Sequence, residues 1–280
     1  MRVREPVVAG TFYPGMEESL RREVTSLLEE ASSFPGEGEF IGGVSPHAGY
    51  IFSGRAQAFL YRVVQEREFS TVVILASSHY AFYEGASVYP EGIYLTPLGE
   101  VPVEEEISQE LISKPDFSYI PQAHSREHSV EVQLPFLQII RRDFKIVPVV
   151  ISQFDLELTR RMAETIDEVT RNKSGVIFIA SSDLSHYPPY EIAKKVDGEV
   201  IKRIISLDPA SLHEFATIAP RKFPGVSTAI CGEGAVLTLM YLLKIRKVRK
   251  GEVLIYYNSG DVEGRMRSEV VGYSAIGFWS

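Results

Sequence analysis

The run Thr71-Val72-Val73-Ile74-Leu75-Ala76-Ser77-Ser78-His79-Tyr80 decides the fold. Val72 to Ala76 are apolar without a polar break, the pattern of a strand covered on both faces, as at the centre of a parallel sheet. The polar triplet behind it, Ser77-Ser78-His79, has little packing purpose there. Two other runs end the same way. Val176–Ala180 leads into Ser181-Ser182-Asp183-Leu184-Ser185-His186-Tyr187, and Phe40–Val44 leads into Ser45-Pro46-His47-Ala48-Gly49-Tyr50. In an open α/β sheet the carboxyl ends of parallel strands border a shared crevice, so side chains just beyond them converge although they are far apart in sequence.

Outward from these three, Lys145–Ile151 reads as a further buried strand. Val253–Tyr257 and Val270–Phe278 alternate more and are separated by Asn258-Ser259-Gly260-Asp261, which predicts an antiparallel edge. Segments of helical period fall between the strands at Met16–Ser32, Gly54–Glu66, Val103–Ser113, Ser129–Arg142, Asp155–Arg171, Tyr190–Ser206, Pro209–Ala216 and Gly232–Lys247. Ser53 and Ser129 are expected to cap their helices, and Asp208 precedes a proline at a first helical position. Strands alternating with helices predict an α/β protein with helices on the faces of its sheet. With no repeat, low-complexity tract or linker, one compact domain over residues 1–280 is the simplest organisation.

Composition bounds the function. A chain of 280 residues, 45% hydrophobic and 24% charged, can bury a full core. The formal charge of -8 argues against nucleic acid, which wants a basic surface. The basic run Lys244–Lys250 reads as the solvated end of a helix, where cations complement the dipole. Residues 1–15 lack the apolar stretch of a signal peptide, and no apolar run approaches the roughly 18 residues of a membrane span, so a cytoplasmic protein without membrane partners is expected. Cys231 is the single cysteine and excludes an internal disulfide.

Each chemical candidate has a bland alternative: a turn histidine, a capping aspartate, an inert buried thiol. Jointly they are harder to dismiss. His47 lies in a turn that Gly49 is expected to make possible. His79 ends the most apolar strand, and Asp183 and His186 leave a third strand end together, a carboxylate and an imidazole able to share a ligand or pass a proton, the carboxylate raising the imidazole's pKa. Cys231 precedes a strongly apolar helix whose dipole is expected to lower the thiol pKa. If folding brings Cys231 to His47 and His79, the two imidazoles and one thiolate suit iron, copper or zinc better than magnesium or calcium.

The segment His124-Ser125-Arg126-Glu127-His128 formally matches the inverted zinc-peptidase pattern, but Ser129 reads as a helix cap, which leaves both histidines in a loop. Glu127 and His128 are better placed as pocket-lining groups that orient a ligand or move protons. His213 reads as surface or packing. Ser45, Ser77 and Ser181 form no nucleophile elbow.

Pro-His-Ala-Gly-Tyr at 46–50, Ser-Ser-His at 77–79, Glu-His-Ser-Val-Glu at 127–131, Ser-Ser-Asp-Leu-Ser-His at 181–186 and Cys-Gly at 231–232 together resemble the Memo family (mediator of cell motility), from Ala9-Gly10-Thr11-Phe12-Tyr13-Pro14 to Gly272-Tyr273-Ser274-Ala275. That family is similar in fold to the LigB-like class III extradiol dioxygenases. The resemblance implies an α/β/α sandwich with a mostly parallel or mixed central sheet, and metal-binding roles for His47, His79 and Cys231 with Asp183 and His186 beside them. Cys231 stands where the dioxygenases complete their triad with a carboxylate, so ring cleavage does not carry over. The implied function is an iron(II)- or copper-dependent redox protein, with zinc as a competitor. Alternatives are metal storage or delivery, and a non-catalytic module binding a peptide or small ligand in the same cleft. A homo-oligomer is left open.

Overall fold

The computed structural model describes residues 1–34, 36, 38–262 and 266–280. Its main sheet has eight strands, in the spatial order Gly251–Asn258, Gly272–Trp279, Phe40–Ser45, Val176–Ser181, Thr71–Ser77, Lys145–Ile151, Ala86–Val88 and Phe117–Ser118. The four central strands, from Phe40–Ser45 to Lys145–Ile151, are mutually parallel. Both C-terminal strands are antiparallel to their neighbours and close one side of the sheet, as their alternation predicted. A small second sheet joins Val3–Arg4, Ile93–Thr96 and Gly99–Pro102.

Helices cover both faces, giving the α/β/α sandwich with a mixed sheet. The pleat sends alternate side chains to opposite sides: Val73, Leu75, Val147, Val149, Phe178 and Ala180 enter one core, and Val72, Ile74, Ile146, Val150, Ile177 and Ile179 enter the other. Leu156–Thr170, Tyr190–Ile205, Pro209–Lys222 and Glu233–Ile245 pack on the first face. Glu17–Glu30, Tyr50–Gln65 and Leu134–Ile140 pack on the second. The helix Glu233–Ile245 is apolar nearly all round and correspondingly buried.

The expected helix over Ser129–Arg142 is two pieces, His128–Glu131 and Leu134–Ile140. Pro135 explains the break, because it has no N–H to continue the ladder and sits at the start of the second piece. Ser129 is not a cap; Glu127 is, accepting from the Ser129 N–H, so His128 opens a short helix rather than lying in a loop. Ser53 is likewise inside its helix, which begins at Tyr50 after Gly49. Asp155 and Asp208 do cap theirs. Helix Pro209–Lys222 runs past Ala216 and carries Pro220 within it. Arg246 in the basic run folds back onto Asp167 at 2.7 Å and Thr170 at 2.9 Å instead of pointing into solvent. Among the described residues no helix is long and apolar enough to cross a membrane.

Candidate metal centre

The order of the central strands positions the site. Val176–Ser181 is inserted between Phe40–Ser45 and Thr71–Ser77, so the segments carrying His47, Asp183 and His79 leave three adjacent parallel strands at the same edge. The His47 and His79 ring centroids lie 5.2 Å apart, and His128, from its short helix, stands 4.6 Å from His79 and 5.3 Å from His47. Cys231 enters from the start of helix Glu233–Ile245, its Sγ 3.1 Å from His47 Nε2. Gly232 makes that approach possible: a Cβ there would fall 2.5 Å from the Ser181 carbonyl oxygen and from Ser182 Cβ. Gly49, by contrast, has φ −57°, which any residue can adopt.

Hydrogen bonds fix the two imidazoles. Ser181 Oγ donates its one proton to the Ser129 carbonyl at 2.7 Å and accepts from Gln133 Nε2 at 3.0 Å, so towards His47 Nδ1, also at 3.0 Å, it can only accept. His47 therefore carries its proton on Nδ1 and presents a lone pair at Nε2. The Gln133 amide is oriented by the Pro46 carbonyl at 2.9 Å and the Tyr61 hydroxyl at 2.8 Å. Glu127 treats His79 in the same way: Oε1 accepts from Nδ1 and Oε2 from the backbone N–H, both at 2.8 Å. Neutral His79 then also offers Nε2. A carboxylate or hydroxyl at the far ring nitrogen is the usual support of a metal-ligating histidine.

Asp183 Oδ1 accepts from the His47 N–H at 2.8 Å and the Ala48 N–H at 3.3 Å, so this carboxylate holds the neighbouring turn rather than capping its own. Among the described residues, two buried imidazole nitrogens, His128 Nδ1 and His186 Nε2, have no hydrogen-bond partner. His186 is held by backbone pairing with Thr228 and Val271.

Burial and the nearby His79 charge hold His47 down at about 3. Burial and His47 hold His128 at about 4. Burial also lowers His186, outweighing the Asp183 carboxylate expected to raise it. His79 is the exception, raised because the Glu127 hydrogen bond and charge outweigh burial. Burial alone would raise Glu127, but its bond to His79 prevails and holds it at about 2. Burial raises Asp183, and burial and the Asp183 charge push the Cys231 thiol well up. Burial thus prevails over the lowering expected from the helix dipole. A bound metal would have to supply that drive.

Among the described residues, two groups of three donor atoms, each mutually within 4.8 Å, could hold an ion: His47, His79 and His128, and His47, Asp183 and Cys231. The orphaned imidazole nitrogen of His128 and the mixed imidazole, thiolate and carboxylate donors fit a transition metal. His124 does not join them. Its nitrogens face Ser87 Oγ at 2.9 Å and Tyr94 OH at 3.2 Å in a separate buried network, which removes the inverted peptidase pattern. His213 pairs with Glu233 at 2.7 Å.

Sequence reasoning missed several supports. Arg4, buried in the N-terminal strand, pairs with buried Glu131 and donates to the Glu127 carbonyl at 2.5 Å. Tyr13 OH also donates to Glu131, at 2.5 Å. Asp197, fully buried on helix Tyr190–Ile205 and pushed up by burial to about 6, accepts from the Ser185 N–H at 2.9 Å. Polar residues on helical patterns read as solvated faces, so only Glu131, inside a motif, carried any signal.

An α/β/α sandwich with histidines, an aspartate and a cysteine gathered at its parallel strand ends is the class this fold and site define. The Memo-like protein family profile matches residues 4–277, and the chain belongs to that family. It is 36% identical to a MEMO1 family protein of Desulfurococcus amylolyticus over the whole of both chains. MEMO1 family proteins of Methanopyrus kandleri and Ignicoccus hospitalis are each 37% identical, over 98% and 99% of both chains respectively.

Proposed function

We propose that this protein binds one transition metal ion, iron(II) or copper with zinc as a competitor, at His47 with His79 and Cys231 as partnering donors, and that it is a redox protein. The observation that carries this reading is the fixing of His47 and His79 by Ser181 and Glu127, which leaves both Nε2 lone pairs for an ion. The metal would supply electron exchange with a small oxidant such as oxygen.

The surrounding residues do the rest. Glu127 orients His79. Asp183 holds the His47 turn, and burial raises its pKa above the ordinary carboxylate value. Burial keeps His186 and His128 neutral at pH 7, and each has a buried ring nitrogen with no hydrogen-bond partner among the described residues. His186 therefore moves protons, and its loss should damage reactivity more than metal affinity. Oxygen consumption or peroxide formation by the metal-loaded protein tests this. Wild type should exceed free metal, and His186→Ala should lose most of that excess while keeping its metal. Activity no greater than free metal would defeat the redox reading.

A second reading, binding of a small or peptide ligand without turnover, is favoured by the exposed rings at the rim. Tyr80 lies 6.5 Å from His128 and is 47% exposed, and Tyr187 lies 5.6 Å from His186 and is 54% exposed. The protein is further read as one domain over residues 1–280, acting in the cytoplasm.

A further inference from the structure

The backbone donors of the segment that carries His186 can be followed one by one. The Leu184 N–H donates to the Gly272 carbonyl at 2.8 Å, the His186 N–H to that of Thr228 at 3.0 Å and the Tyr187 N–H to that of Val270 at 2.7 Å. Ser185 is the exception. Its N–H finds no backbone acceptor among the described residues and donates instead to Oδ1 of Asp197 at 2.9 Å, from helix Tyr190–Ile205. A buried N–H without an acceptor is costly, so this carboxylate completes a pairing that the neighbouring chain leaves incomplete.

Asp197 is itself held from two sides. Its Oδ2 accepts from the Tyr256 hydroxyl at 2.8 Å, on strand Gly251–Asn258. The carboxylate also rests on Gly272, where a Cβ would fall 2.2 Å from Oδ2, and the Gly272 N–H donates to the Ser185 carbonyl at 2.9 Å. Burial pushes Asp197 up to about 6, and among the described residues no cation offsets that cost. An apolar side chain would fill the space without it, so packing does not explain an acid here. What the acid adds is acceptance from Ser185 and Tyr256 together. The His186 Nε2 makes no hydrogen bond among the described residues, which leaves the place of that ring to the backbone on which it is mounted.

Resting on the reading above that His186 moves protons, we propose that Asp197 is a positioning residue for His186. By accepting from the Ser185 N–H it fixes the peptide that sets where the His186 ring stands. It acts through the backbone and touches no ligand.

Amide hydrogen exchange of the whole protein tests this, read beside peroxide formation by the iron- or copper-loaded form. In Asp197→Leu the amides of residues 184–187 should exchange at least about tenfold faster, the cost of one lost buried acceptor, while those of the central strand Thr71–Ser77 keep their protection. Metal content should hold, and peroxide formation should fall to the level of His186→Ala. Asp197→Asn should restore both exchange and activity, because its amide oxygen still accepts from Ser185 and its amide nitrogen can donate to the Tyr256 oxygen. Tyr256→Phe, which frees only Oδ2, should speed the same amides by less. Unchanged exchange at 184–187, an acceleration spread over every strand, or an Asn variant as impaired as the Leu variant would overturn the proposal. Local loosening with full peroxide formation would overturn it too. A wild type no more active than free metal would defeat the redox reading, and the positioning role would then stand or fall on the exchange alone.

Discussion

Ser181 has one hydroxyl proton, and its donation to the Ser129 carbonyl settles which nitrogen of His47 is free. Ser181→Ala removes that constraint without removing a donor. Metal affinity should fall by about 10–100-fold, the usual cost of losing an orienting partner, with the fold retained. Metal titration beside thermal unfolding checks it. The pH dependence rests on a different residue. His47 and His128, at about 3 and 4, are already neutral well below pH 6, whereas Glu127 raises His79. A metal requires the unprotonated ring, so as pH falls through the His79 pKa, affinity for an ion bound through His79 should weaken by about tenfold per pH unit. In Glu127→Gln that onset should move to lower pH, as read by nickel titration across pH 5–8; an unmoved onset would mean that His79 is not the titrating ligand. His47, His79 and Asp183 were legible because each ends an apolar run where a polar residue is otherwise unexplained. Gln133, Arg4 and Asp197 were not, since a buried polar side chain and a solvated one look alike until the packing around them is known.

Long buried strands were readable almost to the residue because their side chains are apolar on both faces: Lys145–Ile151 begins and ends where its composition says. Strands of two to four residues, such as Ala86–Val88 and Phe117–Ser118, are too short to show a period and exist only because a neighbouring strand pairs with them. The helix broken at Pro135 shows a local signal overridden by reading periodicity across it. Gly232 is the element-scale device that the sequence displayed without explaining, since its packing partner lies about fifty residues earlier. Gly232→Ala should destabilise by about 1–3 kcal/mol, because backbone and a serine Cβ, not a flexible side-chain tip, block the new methyl. It should also displace Cys231 and weaken metal binding. Denaturant midpoints and a metal titration read these effects, and unchanged stability would contradict the close approach.

At the scale of the whole molecule, the site exists because the strand formed late in the chain inserts between two formed early. That insertion brings residues 47, 79 and 183 to one edge and could be anticipated only as convergence, not as an order. The N-terminus is tied to the same place, for Arg4 pairs with Glu131 with both side chains almost wholly buried, at 3% and 0% exposure. Arg4→Ala should cost about 3–5 kcal/mol by stranding the Glu131 charge, and should loosen the Glu127 segment that Arg4 also holds. Chemical denaturation with a parallel metal titration checks both effects, and a loss under about 1 kcal/mol would show the pair to be dispensable. The central claim is that His47 is the hub of one metal centre. Its most direct test is the metal content of iron- or copper-reconstituted wild type and His47→Ala, each shown to be folded by circular dichroism. One equivalent in wild type and none above a metal-free control in His47→Ala is the predicted result; a folded His47→Ala protein that still holds one equivalent would contradict it.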